Sequence, residues 1–591
     1  MKALILAAGY GNRMKPLTDS CHKTLLPIAG GTIIGRIIEG LVANDVRDFV
    51  FVTGYRHDDL VDYITTNFPC ISCTFVENKR YRETNNIYSM ALAFEQVEFD
   101  DEVLLIESDL IYEPAVIERI IKSKHANVAL VDHYRSGMDG TVVAVHDSVV
   151  THVIPPHLQD SKFDFSDKYK TLNIYKFSRD FCAHEFKRLL TFYARTIDAN
   201  CYYELILGIL IYMQRETIHA EILQGENWAE VDDPNDLAVA EFIFDKGRRG
   251  ELLEKSFGGY WNHDILDFCF IRNMHFPTAS VLSEMHNNLA DLVHNYGSRQ
   301  SVLNQKLAYL LLCREERLQV LNGASQIYPV LRLRFGEENV LLPDPTFGEY
   351  PRVFAKHETY SDRVGIDWLD FGCRLRDVGV AVIVNPNNPT GSIVPTAAIM
   401  ACAEQHPDKQ FIVDESFIDF ADQPSIIEIL ETRPLDNVLV VKSLSKAYGV
   451  PGIRLGFVYT SNMDLYRFIQ AQTPIWNLNS LAEFYLEILL KQRKGLAESF
   501  RLTIADRNEF AANLLTVPYV ANVFPSRANF LLVSLRRKGA PSDLVGHLLA
   551  RHGIYIKEVT NKFVDDSRYL RLAVRTRQEN DRLVAAMRSA E

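Results

Sequence analysis

No apolar run in the 591-residue chain approaches the roughly 20 residues that a bilayer span needs; the longest, LILGILIYM from Leu205, is far too short. A membrane partner is therefore not expected. Long basic runs are missing as well. Lys plus Arg total 63 against 76 Asp plus Glu, a formal charge of -13, so nothing is suited to follow a phosphate backbone, and nucleic acid is excluded as a partner. Cysteine is sparse: nine residues, odd in number and widely spaced, exclude a disulfide framework and suit reduced thiols in the cytoplasm. The one C-x-x-C, Cys70 and Cys73 in FPCISCTFVEN, reads as a turn entering a strand, where packing accounts for it. The opening MKALILAAGYG imitates a secretion signal, but its apolar run is cut short at Gly9.

What is present is the composition of a globular protein, 47% hydrophobic and 24% charged, long enough for two large units or three to five smaller ones. From Lys2 to about Phe244, short β-rich runs (KALILAAG, DFVFVTG, CTFVEN, EVLLIESD, ANVALVD) alternate with helical segments, predicting a largely parallel sheet. The alternation lapses between 245 and 276, across DKGRRGELLEK and FGGYWNHD, which reads as a connection. It resumes from 277 to 591, with strands at VAVIVNP, FIVDES and VLVVKSLS among amphipathic helices. The expectation is an α/β protein of two catalytic-sized domains, 1–244 and 277–591.

In the first, the strand KALILAAG runs into Gly9-Tyr10-Gly11-Asn12-Arg13. Two glycines there let backbone amides turn toward an anion, and Arg13 and Lys23 of KTLLP add fixed cations, a cradle for a triphosphate. Asp109 ends EVLLIESD at the carboxyl edge of the sheet, where ligands collect in open α/β folds. The string LAAGYGNRMKPLT followed by KTLLP resembles the sugar-nucleotidyltransferase superfamily, and TNNIYSM at Thr84 to Met90 resembles its phosphocholine and phosphonate cytidylyltransferases; the likeness covers about residues 1 to 240. It implies a Rossmann-like domain binding CTP over Leu6, Ala8, Gly9 and Gly11, with Asn85 and Asn86 near base and ribose, and Mg2+ held by Asp109 and by Asp232 in WAEVDDPND. Asp233 beside Asp232 leaves that register open. The same likeness puts an acid, chosen as Asp139, against a substrate ammonium and Lys170 against the attacking oxygen, with Lys162 and Lys168 as rivals.

In the second, NPNNPTG at Asn385 to Gly391, DESF at Asp414 to Phe417 and SLSKAYGVPGIR at Ser443 to Arg454 resemble in order and spacing the fold-type I aminotransferases, nearest to the histidinol-phosphate aminotransferase and threonine-phosphate decarboxylase branch, over about residues 280 to 585. The likeness implies pyridoxal phosphate (PLP) carried by Lys446, which needs a depressed pKa to act as nucleophile and proton carrier. Asp414 would keep the pyridine nitrogen protonated and Asn388 would meet the phenolic oxygen. Ala324, Ser325, Ser443 and Arg454 would hold the phosphate, and Phe347 would stack on the ring. Arg571 matches a carboxylate clamp that could equally grip a phosphonate. Tyr296 matches a tyrosine reaching a neighbouring subunit's cofactor, implying a homodimer. Two departures stand out: Phe417 where relatives carry tyrosine, and Arg575 where a small residue is expected.

Together the halves resemble fused phosphonate cytidylyltransferase and 2-aminoethylphosphonate transaminase enzymes. The resemblance implies amino transfer from an amino-acid donor to phosphonoacetaldehyde, then CMP transfer from CTP to 2-aminoethylphosphonate with release of pyrophosphate. The alternative is a phosphocholine cytidylyltransferase joined to a decarboxylase of a phosphorylated amino acid. A non-enzymatic reading, a decayed aminotransferase acting as sensor or platform, is opposed by intact Lys446, Asp414, Asn388 and Arg454.

Overall fold

The computed structural model describes residues 1–135, 137–160, 163–536 and 541–590. It divides into two compact units, Met1–His263 and Asp264–Glu591. The segment 245–276, expected as a connection, is shared between them: Arg249–Ser256 is a helix of the first, and Leu266–Asp267 pairs in parallel with Ile554–Tyr555 of the second.

The first unit is built on a nine-stranded sheet. Lys2–Ala7 lies in its interior, with Asp48–Thr53 and then Ser72–Glu77 on one side and Val103–Glu107 on the other, all parallel. Lys168–Phe177 then runs antiparallel to Val103–Glu107 and continues the sheet toward Val128–His133, His219–Ile222, Val149–Ile154 and Val142–His146. The strand order reverses direction at Lys2–Ala7, so the carboxyl ends of that strand and of Val103–Glu107 open the crevice where such sheets bind ligands. Helices cover the faces for local reasons. In Ile33–Val42, Ile33, Ile34, Ile37, Ile38 and Leu41 recur at helical spacing and are all fully buried, and the Thr32 hydroxyl accepts the Gly35 amide at 3.0 Å to start the helix.

The second unit has a seven-stranded sheet in the order Leu318–Asn322, Leu455–Thr460, Val438–Ser443, Gln410–Asp414, Val380–Val384, Val340–Asp344, His357–Ser361, with Leu455–Thr460 antiparallel to both neighbours. The uninterrupted apolar strand Val380–Val384 is buried throughout, as a strand covered on both faces must be. A smaller antiparallel sheet joins Val520–Val523, Phe530–Leu535, Arg568–Ala573 and Lys557–Glu558. The chain is thus an α/β protein of two units. No disulfide is formed among the described cysteines, and no helix among the described residues is long and apolar enough to cross a membrane.

Candidate functional site

At the crevice of the first unit lies a cavity of about 690 Å³. Leu6 and Ala8, both nearly buried, form part of its wall, and Gly9 to Arg13 form its rim. Gly11 has φ +61°, and a Cβ there would also press on Lys23 and Thr18 at 3.2 Å, so the turn needs glycine. The Thr18 hydroxyl fastens the loop by donating to the Gly11 carbonyl at 2.9 Å.

The two predicted metal acids meet on one lysine. Lys23 Nζ lies 3.1 Å from Asp109 Oδ2 and 2.8 Å from Asp232 Oδ1, and Arg13 Nη2 lies 2.6 Å from Asp232 Oδ2. Burial works against ionising Lys23 and Asp232, yet their mutual attraction outweighs it, leaving the lysine pKa raised and the Asp232 pKa lowered. The register is resolved by capping: Asp233 Oδ1 accepts the amides of Asn235 and Asp236 to start Pro234–Phe244, while Asp232 faces the cavity. Asp109 Oδ1 is buried with no hydrogen-bond partner, an orphaned oxygen that suits a hard cation. No cluster of three or more His, Cys, Asp or Glu capable of holding a metal occurs among the described residues. Asp109 and Asp232 would therefore hold Mg2+ as a pair, with water and phosphate oxygens completing its shell.

The other predicted residues divide. Lys170 is 1% exposed and faces Glu230 at 3.1 Å, in a geometry too poor for a hydrogen bond. Its rival Lys168 is taken by Asp167, and Lys162 lies outside the described residues. Asp139 lines the cavity but is largely exposed, 3.9 Å from Arg13. Asn85 caps the helix Asn86–Gln96, and Asn86 is committed at both ends, donating to Glu107 Oε1 and accepting the Tyr203 amide, each at 3.0 Å.

Three further acids were not singled out from sequence: Glu107, Glu204 and Glu230. All line the cavity, and burial raises the pKa of each, Glu204 to about 7. Glu204 Oε2 has no hydrogen-bond partner. Glu107, Glu204 and Glu230 add to Asp109, Asp139 and Asp232, six acids against Arg13, Lys23 and Lys170, a setting for positive charge.

In the second unit the predicted residues gather around Lys446, at the carboxyl end of the sheet. Burial, then Arg571 and Arg454, push its pKa down to about 8, with Asp414 opposing. Asp414 ends its strand fully buried, with its Oδ2 accepting the Tyr350 hydroxyl at 2.8 Å and its Oδ1 the Ser416 hydroxyl at 2.6 Å. Ser416 Oγ also accepts the Ser443 amide at 3.0 Å, tying two strand ends together. Arg454 donates to Ser325 Oγ at 3.0 Å beside the helical turn Ala324–Gln326. A Cβ on Gly456 would stand 2.3 Å from the Ala324 nitrogen, so the glycine lets that turn sit against the neighbouring strand. These amides, Ser443 and Arg454 form a cup suited to a phosphate, and the buried Asp414 and Asn388 suit a pyridinium and a phenolate. The residues present fit PLP.

Arg571 Nη1 donates to Asn388 Oδ1 at 3.2 Å. Phe347 lies 6.3 Å from the Tyr328 ring. The two departures prove to be packing features. Phe417 packs edge-on against Phe530 in an apolar cluster, and Arg575 turns away to the Asp267 carbonyl and Glu579. Tyr296 is exposed, its ring 4.6 Å from Trp476.

Comparison with known proteins agrees with both halves. A MobA-like NTP transferase domain matches residues 3–162, and the family described as aminotransferase class I and II matches residues 270–587. The CMP-5'-(3-aminopropyl)phosphonate synthase of Streptomyces rubellomurinus is 32% identical, over 99% of this chain and 94% of that protein. The L-serine phosphate decarboxylase of Sulfurospirillum multivorans is 28% identical over 55% of this chain and 88% of that protein. A solved decarboxylase structure from the same organism covers 57% of this chain and 91% of its own, at 26% identity and a TM-score of 0.51.

Proposed function

Since the chain belongs to the aminotransferase class I and II family and carries an NTP transferase domain ahead of it, we propose that it makes and then activates an aminophosphonate. The C-terminal unit transfers an amino group from an amino-acid donor to phosphonoacetaldehyde, giving 2-aminoethylphosphonate. The N-terminal unit joins a phosphonate oxygen of that product to the α-phosphorus of CTP, breaking the bond to pyrophosphate. The observation that carries this reading is the charge layout of the N-terminal cavity: Arg13 and Lys23 against the paired acids Asp109 and Asp232, and a surplus of acids in Glu107, Glu204 and Glu230. That layout suits an acceptor with an anionic head and a cationic tail.

In the first reaction Lys446 carries the proton at the amine-bearing carbon. A pKa of about 8 leaves an appreciable neutral fraction at physiological pH, whereas an ordinary lysine would have almost none. Asp414, fixed by Tyr350 and Ser416, holds a proton on the pyridine nitrogen. PLP bound there supplies the electron sink. In the second reaction Lys23 and Arg13 offset charge on the triphosphate, and Lys170 steers the attacking oxygen. Asp109 and Asp232 would hold Mg2+, which would supply the further charge neutralisation that attack of one anion on another requires. The protein works as a cytoplasmic homodimer through its aminotransferase unit, with Tyr296 at the shared boundary.

The likeness to L-serine phosphate decarboxylase supports a second reading, in which the C-terminal unit removes CO2 from a phosphorylated amino acid. Purified protein with CTP and Mg2+ is given 2-aminoethylphosphonate, 3-aminopropylphosphonate or phosphocholine, and pyrophosphate is followed. In parallel, phosphonoacetaldehyde with amino donors is compared with O-phosphoserine for amine formation and CO2 release. Indifference to both aminophosphonates would refute the proposal, and CO2 release without amino transfer would establish the second reading.

A further inference from the structure

The helix that carries Lys446, Leu444–Ala447, is four residues long, too short to hold its own shape, so the groups around it must hold it. The Tyr448 amide closes it on the Leu444 carbonyl at 2.9 Å. The next three carbonyls are answered from distant parts of the chain. The Asn273 amide donates to the Lys446 carbonyl at 2.9 Å, Asn273 Nδ2 to the Ala447 carbonyl at 2.8 Å, and the Tyr485 hydroxyl to the Tyr448 carbonyl at 2.9 Å. Asn273 thus grips two consecutive carbonyls, one of them the lysine's own. The approach is close: Gly449 has φ +66°, and a Cβ there would stand 1.8 Å from the Phe276 carbonyl oxygen, so glycine is what lets residues 273–276 lie against the turn.

Asn273 is 2% exposed, and both ends of its side-chain amide are committed. Nδ2 also donates to Ser499 Oγ at 2.8 Å, and Oδ1 accepts the His275 amide at 3.0 Å. The Ser499 hydroxyl gives its own proton to the Leu496 carbonyl, so its oxygen is free to accept, and the orientation of the amide follows. His275 continues the strap, its Nε2 meeting Asp506 Oδ2 at 2.6 Å. Ser499 and Asp506 stand two turns apart on one face of the 22-residue helix Arg493–Leu514. One buried side chain therefore ties the lysine turn to a long helix.

A side chain as long as lysine carries any shift of its main chain out to its amine, and a misplacement of about 1 Å can cost about a hundredfold where a group must meet its target. We propose that Asn273 is a positioning residue for Lys446, fixing the main chain from which the lysine reaches into its buried site. This rests on the reading of the C-terminal unit given above and adds the residue that places the lysine. An amide is required for the task. A carboxylate of the same shape cannot donate to the Ala447 carbonyl, and an alkyl side chain leaves both that carbonyl and the His275 amide unanswered.

The test compares Asn273→Leu with Asp506→Asn, which loosens the same strap at His275 without touching the lysine turn. PLP is mixed with PLP-free protein, the rate of cofactor capture is followed by absorbance across a series of pH values, and melting temperature is recorded for each variant. In the unaltered protein the rate rises with pH to a midpoint of about 8, the value to which Lys446 is brought, because only the neutral amine captures the cofactor. In Asn273→Leu the loosened turn admits water to the amine, so the midpoint moves up by about one unit and capture at neutral pH slows about tenfold. Asp506→Asn melts lower yet keeps both midpoint and rate, within about twofold. Should Asn273→Leu fail to fold, Asn273→Ser, too short to reach the Ala447 carbonyl but able to hold water in the vacated space, takes its place with the same expectations. A midpoint that stays or falls in the Asn273 variant, or an equal rise in Asp506→Asn, overturns the positioning role. Failure of the unaltered protein to capture PLP at any pH would count against the C-terminal reading itself rather than against Asn273.

Discussion

Replacing Lys446 with Met in protein stripped of PLP should make it more stable at neutral pH. Burial, Arg571 and Arg454 bring the lysine from its ordinary 10.5 to about 8. A folded-state pKa below the unfolded one means the native chain binds fewer protons between about pH 8 and 10.5, so stability rises with pH across that window and is lowest beneath it. At about 1.4 kcal/mol per pH unit, the cost of keeping Lys446 charged at pH 7 is at most about 3 kcal/mol. Met has nearly the same length and no charge to desolvate, so Lys446→Met should recover about 1 to 3 kcal/mol at pH 7 and almost nothing near pH 10.5. Urea unfolding of the stripped proteins at pH 7 and pH 10 measures both numbers. Equal stability at pH 7, or a gain that persists undiminished at pH 10, would show that the lysine is not desolvated beside Arg571 and would remove the basis for its nucleophilicity.

Asp109→Asn should cut pyrophosphate release by about a thousandfold or more while the cofactor absorbance of the C-terminal unit stays unchanged, since the residue belongs to the other compact unit. Gly456→Ala, whose Cβ would stand 2.3 Å from the Ala324 nitrogen, should displace the phosphate cup at a cost of about 1 to 3 kcal/mol, read as a loss of PLP affinity of about fivefold or more by absorbance titration. Glu204→Gln addresses the inner acids. Burial raises Glu204 from 4.5 to about 7, so its contribution to stability falls as pH rises through that interval. The variant should melt higher than the parent at pH 8 by up to about 3 kcal/mol in stability and match it near pH 4.5, as checked by calorimetry at the two pH values.

The parts of the site that were legible in the sequence are those with a local signature. Gly9 to Arg13 had to be a turn because glycines follow an apolar strand, and Asp109 stands at the sheet edge in the turn two residues past the end of Val103–Glu107. Lys446, Asp414 and Asn388 fall within strings whose order and spacing mark a cofactor site. Asp232 and Asp233 could not be separated until the capping bonds of Asp233 were seen. Glu107 carried an overlooked signal: it is the last residue of the strand Val103–Glu107, at the carboxyl end where ligands collect in such sheets. Glu204 opens the helix Glu204–Tyr212, where a lone acid before eight apolar residues looks like a solvated helix start, although the fold buries it. Tyr350 and Asn273 had no sequence signal, because their partners, Asp414 and the Ala447 carbonyl, are 64 and 174 residues away and only the closed fold brings them together.

The bridging ammonium of Lys23 has a consequence for the resting protein. Two acids facing one crevice would ordinarily need an imported counter-charge to coexist, and many metal centres collapse when their ion is removed. Here the counter-charge is covalently supplied by the same chain, tethered 3.1 Å and 2.8 Å from its two partners. With Arg13 also on Asp232, the acid pair therefore carries its own counter-charge while it waits, and a chelator should silence the crevice without unfolding it.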